Sequence, residues 1–257
     1  MRCGRWALLA GMAALWLPLP AAAAEVAALY QADWAGLPAG EIRLALRDSP
    51  GTYRDEIAIR TEGLPELFTR FSAVAVSDGR PGALLPAPLQ YDARYGLRKK
   101  RHKRLVMRFA AHGGAVVADR GPGDTSDKPP LPERFRVGVV DPLSALTAIR
   151  EALRRGDRGR FTVPVYDGAR RFDVIVRVLP KATGEKNLHL ALLLAPIAGF
   201  KGESGDDGNP DDRPRPARLT MTDDARLMPL SFSVSLDYLP LVIELRRWCT
   251  NAAACRW

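Results

Sequence analysis

The stretch that decides the fold is ARLTMTDDARLMPLSFSVSLDYLPLVIELRRW, residues 217–248. Met228, Leu230, Phe232, Val234 and Leu236 alternate with Pro229, Ser231, Ser233, Ser235 and Asp237. Side chains on a strand face opposite ways at every second residue, so this segment reads as a strand with one buried and one wet face. Asp223-Asp224 turns the chain after Leu219 and Met221, and Asp237 to Pro240 turns it again before Leu241, Ile243 and Leu245. The expectation is three antiparallel strands with short connections.

The same pattern runs outward through the chain. Tyr30, Ala32 and Trp34 lead through a loop at Gly36-Leu37-Pro38-Ala39-Gly40 into Ile42, Leu44 and Leu46. Further strands are expected at 53–60, 71–76, 89–95 and 104–109. Phe161, Val163 and Val165 are set to pair with Phe172, Val174, Val176 and Val178 across Asp167-Gly168, and Leu188, Leu190, Leu192 and Leu194 form another strand. About a dozen short strands separated by Gly, Pro and Asp imply an all-β fold: a curled antiparallel sheet or half-barrel that must protect its edges. The stretch 63–71 reads as a short helix or a bend, and 121–133 and 201–216 read as loops.

One helix is expected on the concave side of that sheet. Asp141 suits the N-cap, Pro142 the first helical position and Gly156 the C′ site. Leu143, Leu146, Ile149 and Leu153 form its apolar stripe, with Arg150, Glu151, Arg154 and Arg155 on the other faces.

The first 24 residues read as an export signal. Arg2 and Arg5 precede an apolar stretch too short to span a bilayer, which ends at Ala22-Ala23-Ala24. The expected product is a periplasmic protein starting at Glu25, one β-rich domain over 25–257, with no later transmembrane span. The full chain carries a net charge of +9, a balance that favours anionic envelope partners over nucleic acid in an exported protein.

Chemistry-bearing residues are few. Cys249 and Cys255 should bridge in an oxidising compartment, a structural staple rather than a redox pair. The run Arg98, Lys99, Lys100, Arg101, His102, Lys103, Arg104 reads as a solvated strand edge or hairpin tip, or else an anionic-lipid patch. Asp206, Asp207, Asp211 and Asp212 lack the alternation and distal Glu of a calcium loop. His102, His112 and His189 are scattered, and HExxH, GxSxG, P-loop and dinucleotide motifs are all missing. No catalytic residues, metal or cofactor are therefore expected.

Three segments, YQADWAGLPAGEIRLAL (30–46), VYDGARRFDVIV (165–176) and LTMTDDARLMPLSFSV (219–234), resemble an exported bacterial family known as domain of unknown function 3108. The resemblance spans most of the chain in the same order. It implies an exported β-rich domain and brings no catalytic or ligand residues; the acidic loop at 201–216 departs from the family pattern. By architecture the expected sheet and helix also resemble the half-barrels of periplasmic lipoprotein carriers. Two functions follow as expectations: a module holding a lipid or other apolar ligand on Leu146, Ile149 and Phe232, or an envelope scaffold with no small-molecule ligand.

Overall fold

The computed structural model describes residues 24–63, 71–97, 101–110, 113–120, 130–200, 213–236, 239–250 and 255. The export signal, the stretch 64–70, most of the loop 121–133, the acidic loop 201–212, the turn 237–238, His112, Arg98 to Lys100 and the side chains of Arg101 and His102 lie outside them.

Thirteen strands form one antiparallel sheet. They are β1 (Ala24–Trp34), β2 (Leu37–Ser49), β3 (Thr52–Thr61), β4 (Phe71–Arg80), β5 (Ala87–Leu97), β6 (Arg101–Arg108), β7 (Val117–Arg120), β8 (Arg160–Tyr166), β9 (Arg171–Val178), β10 (Asn187–Ala198), β11 (Arg215–Thr222), β12 (Pro229–Leu236) and β13 (Leu239–Cys249). Their spatial order is β7-β6-β5-β4-β3-β2-β1-β13-β12-β11-β10-β9-β8. The sheet is thus two meanders joined where β1 pairs with β13, and it curls without closing its ladder into a barrel.

The expected pairing across Asp167-Gly168 holds, with Val163 opposite Val174 and Phe161 opposite Val176, and in the deciding stretch Phe232 opposes Ile243. Two local readings change. The loop placed at 36–40 is a two-residue turn at Ala35 and Gly36, both with positive φ (52° and 80°). That hairpin geometry matches strand twist, so residues 37–40 are already strand. In the deciding stretch, Met221 opposes Pro229 and Thr220 opposes Ser231, so Leu230 is the extra residue of a bulge. The alternation of Met228 with Phe232 is therefore interrupted.

Two stretches of strand carried no clear alternation. Residues 26–30 of β1 are buried on both faces, the outer one beneath Cys255, whose Sγ lies 3.9 Å from the Ala27 carbonyl oxygen. The short β7 has only four residues, too few to show a period. Of the basic run, Arg101 to Arg104 open β6, and the rest lies outside the described residues. β7 pairs with β6 over Leu105–Arg108, past the run, while Arg101 to Arg104 pair with Leu97 to Arg94 of β5, Arg104 also meeting Asp92 at 2.6 Å.

The residues between β7 and β8 cross from one sheet edge to the other. Val116 N–H donates to the Arg136 carbonyl at 3.0 Å and Gly138 N–H to the Gly113 carbonyl at 3.0 Å. On the far side Val140 N–H donates to the Pro164 carbonyl and Tyr166 N–H to the Val140 carbonyl, each at 2.9 Å. Segment 136–140 is thus bonded to the chain beside both edges. The β8–β9 turn also meets β6: a Cβ on Gly168 would lie 2.7 Å from Leu105 Cδ2, so only glycine fits there without displacing Leu105.

Next in the chain is helix α1 (Ser144–Arg154). Asp141 acts as the expected cap, its Oδ1 accepting from Leu143 N–H and Ser144 N–H at 2.9 Å each, although regular helix starts only at Ser144. At the other end Gly156 has φ +90°. Its N–H donates to Leu153 and Asp157 N–H to Ala152, the paired bonds of a glycine C′ stop. Arg150 lies off the apolar stripe as expected, yet that face is interior as well: only 1% of it is exposed, and Ser144, Ala145, Thr147 and Ala148 are buried too. The sheet wraps round the helix, so nearly its whole circumference is interior.

The apolar interior has two clusters. One is built on β1 to β6 and includes Tyr30, Leu44, Leu46 and Met107; the other on α1 and β8 to β12, including Ile149, Val176, Leu190 and Met221. Leu146 and Leu241 pack against both. At the chain's end Cys249 and Cys255 are bridged, with Cα atoms 6.0 Å apart. A loop this short confers roughly 2 kcal/mol by chain-entropy reasoning. Cys255→Ser should therefore fold with a normal circular dichroism spectrum but melt at a lower temperature.

Candidate functional site

Between the two clusters lies a cavity of about 350 Å³. Leu146 and Ile149 of α1 and Phe232 of β12, the three residues proposed from sequence, all line it. Tyr30, Ile42, Leu44, Ile57, Leu192, Leu219 and Ile243 supply much of the remaining wall, Ser231 is one of its few polar groups, and among the described residues no charged side chain lines it. Strand periodicity explains much of the wall: Ile42 and Leu44 on β2, and Phe232 with its cross-strand partners Leu219 and Ile243, take inward positions of their strands. The Tyr30 hydroxyl is engaged, donating to the Pro229 carbonyl at 2.9 Å. Burial raises its pKa and keeps the phenol neutral, against a smaller opposing effect of Arg150.

A polar seam fixes the helix on the side away from this space. Asp141 Oδ2 accepts from Ser144 Oγ at 2.5 Å and from Ser77 Oγ of β4 at 2.8 Å. The Tyr53 hydroxyl of β3 lies 2.7 Å from Ser144 Oγ, whose own proton is committed to Asp141. Thr147 Oγ1 donates to Asp55 Oδ2. Arg150 donates to Asp48 Oδ2 at 2.8 Å and to the Arg226 carbonyl at 3.1 Å, and Arg154 joins it on Asp48 at 2.6 Å.

The electrostatics follow from this burial. Desolvation acts to raise Asp48, but the guanidinium groups of Arg150 and Arg154 outweigh it and hold the carboxyl below its ordinary value. Burial pushes Asp141 up despite the hydrogen bonds it accepts. Burial also drives Asp55 up to about 7, with the Thr147 bond and the Arg150 charge opposing and the nearby Asp48 and Asp141 adding to it. Asp55 Oδ1 is buried without a hydrogen-bond partner. A carboxyl so placed is neutral over much of the pH range because ionising it would strand a charge.

The seam was missed from sequence although a signal existed. Asp55 and Ser77 occupy inward positions, Asp55 alternating with Tyr53, Ile57 and Ile59, and Ser77 with Ala73, Ala75 and Gly79. A charge or hydroxyl at an inward position demands a buried partner, and Ser144, Thr147 and Arg150 provide them at three-residue spacing on α1.

Other residues singled out do not converge on the cavity. Asp223 accepts from Lys181 at 2.8 Å, while Asp224 binds the Arg226 N–H and Thr222 Oγ1, so the two carboxylates serve different contacts. His189 lies on β10 with Nδ1 3.3 Å from Thr220 Oγ1. Among the described residues no group of His, Cys, Asp and Glu could hold a metal ion, and no helix is long and apolar enough to cross a membrane.

Fold and cavity together define a β-barrel-like module with an internal helix. Residues 29–246 match the family described as protein of unknown function (DUF3108), and the chain belongs to that family. Among solved structures it is similar to a beta-barrel-like protein of domain of unknown function DUF1849 from Brucella abortus. The TM-score is 0.52 at 12% identity, over 88% of this chain and 97% of that one, a likeness of fold alone. None of the curated proteins compared with it matches.

Two outcomes follow from the seam. Asp48→Ala leaves the Arg150 guanidinium buried without its carboxylate and should cost about 3 kcal/mol in denaturant unfolding. For Asp55 the folded pKa exceeds the unfolded value of about 3.9, so between about pH 4 and about 7 the folded state binds more protons and loses stability as pH rises. Thermal melts across that window should fall with pH in the wild type and fall less steeply in Asp55→Asn; identical slopes would contradict a raised pKa at this carboxyl.

Proposed function

We propose that this protein is an exported, periplasmic module that holds an acyl chain or another apolar guest between α1 and the curled sheet. The single observation that supports this most strongly is the cavity lined by Leu146, Ile149 and Phe232, about 350 Å³ in volume. That volume falls within the roughly 300–1,000 Å³ common for small-molecule sites, which are mostly apolar with few polar groups.

The lining also restricts the guest. With no charged side chain on the wall among the described residues, an ionised headgroup inside would lose its hydration without gaining a partner there. The guest's apolar part belongs inside and any charge belongs at the mouth. Each methylene buried contributes about 0.8 kcal/mol, so offsetting an association cost of at least about 4 kcal/mol takes a chain of roughly five methylenes or more.

The test uses chain recovered from the periplasm, whose intact mass should correspond to a start at Glu25, titrated with a fluorescent fatty acid. Leu146→Trp adds bulk to the wall without adding charge and should weaken uptake by roughly tenfold or more, with circular dichroism unchanged. Leu84→Trp, at a position 82% exposed, should bind as the wild type does. A wild type that takes up no apolar probe, even after delipidation, would leave the envelope scaffold as the better account.

A further inference from the structure

We infer that the cavity takes up its guest together with a proton on Asp55, so that guest and proton hold each other in place and losing the proton favours release. This rests on the guest-holding reading and adds the regulation of that same site.

The placement of Asp55 carries the inference. On β3 it is the inward residue next to Ile57, about 7 Å away along the strand, and Ile57 lines the cavity. Across β2 the partner of Asp55 is Leu46, and that of Ile57 is Leu44, another residue of the cavity wall. The Asp55 side chain is 0% exposed. Its Oδ2 accepts from Thr147 Oγ1 of α1, while its Oδ1 is buried without a partner. Leu146 and Ile149, on the same turn of α1 as Thr147, line the cavity too. Asp55 thus stands between the strand and the helix that form two of its sides.

The groups that face this carboxyl suit the acid and not the anion. Arg150 of α1 is the cation nearest in effect, but its guanidinium donates to Asp48 and to the Arg226 carbonyl. Asp48 of β2, held ionised by Arg150 and Arg154, opposes a second negative charge, as does Asp141 ahead of α1. From β4, Ser77 is opposite Asp55 in register yet gives its hydroxyl to Asp141. Tyr53, the inward residue on the other side of Asp55, lies against Ser144, and burial keeps its phenol neutral. Asp141 is also pushed up by burial. It differs in accepting from Leu143 N–H, Ser144 N–H, Ser144 Oγ and Ser77 Oγ, whereas Asp55 Oδ1 has no donor.

Coupling follows from position. A guest that fills the cavity replaces solvent-accessible space one inward position away with hydrocarbon, which disfavours the charged form of Asp55 further. By linkage, the guest binds the ionised protein more weakly by the same factor. Because the guest-bound pKa lies above the guest-free value of about 7, affinity is full below that pH and falls as pH rises through it.

The test titrates delipidated protein with Nile red, an uncharged apolar fluorophore. Its Kd for the wild type should rise about tenfold between about pH 6 and about pH 9, with circular dichroism showing a folded protein throughout. Asp55→Asn keeps the neutral shape and should hold the low-pH affinity across the range. Asp141→Asn, which retains a capping side chain, should keep the wild-type dependence. Calorimetry of the wild type in buffers of different ionisation enthalpy needs no variant: binding near about pH 8 should take up a fraction of a proton. The inference is overturned if Nile red binds the wild type equally well across the range or without proton uptake, if Asp55→Asn retains the dependence, or if Asp141→Asn alone removes it. In each of these cases the guest-holding reading stands. A wild type that binds no Nile red at any pH overturns both.

Discussion

The structure depends on how one wide sheet disposes of its two edges. An exposed edge leaves a row of unpaired N–H and C=O groups, open to pairing with another chain. Here the edges are brought near each other by curling, and segment 136–140 accepts and donates hydrogen bonds beside both of them. That solution constrains the rest. Segment 136–140, bonded beside both edges, leads straight into α1 and so delivers the helix into the concavity. The helix is then surrounded by sheet.

A helix in that position needs a different surface from one lying on a protein's exterior. Interior packing on several sides favours small residues where backbones approach, and Ala145, Ala148 and Ala152 are all buried. It also requires any polar group to find a partner within the protein. Ser144, Thr147 and Arg150 do so through Asp141, Asp55 and Asp48, with Ser77 and Tyr53 joining at the same seam. On the outer face, by contrast, Arg47 links Glu25 with Glu56, and Arg54 links Glu56 with Asp78. Those exposed ladders contribute little individually, and the buried seam is what orients the helix.

This division explains what could be read from the sequence. Alternation reports one buried and one wet face, so β2, β8, β9 and β11 were legible from Ile42, Val163, Val174 and Leu219. It fails where both faces are covered, as at Val26 to Tyr30, and at the Leu230 bulge, where the period shifts by one. The apolar stripe of α1 was legible for the same reason, and it led to Leu146 and Ile149 on the cavity wall. The role of Arg150 was not. Charge in a helix ordinarily marks the solvent side, and its partner Asp48 comes from the end of β2, 102 positions earlier in the chain.

The seam and the cavity are two consequences of one arrangement. Were α1 held only by apolar contact, collapse onto β1, β2 and β13 would be favoured, since cavity surface costs stability in a close-packed interior, roughly 24 cal/mol per Å³ in cores that cannot relax. Directional bonds from Asp141, Asp55 and Asp48 instead fix the helix at a set height, near one end of the half-barrel. They prevent Leu146 and Ile149 from settling into the wall opposite. The space beside the helix is thus kept open by polar contacts on its other side, and its lining forgoes contacts that a filled interior would supply.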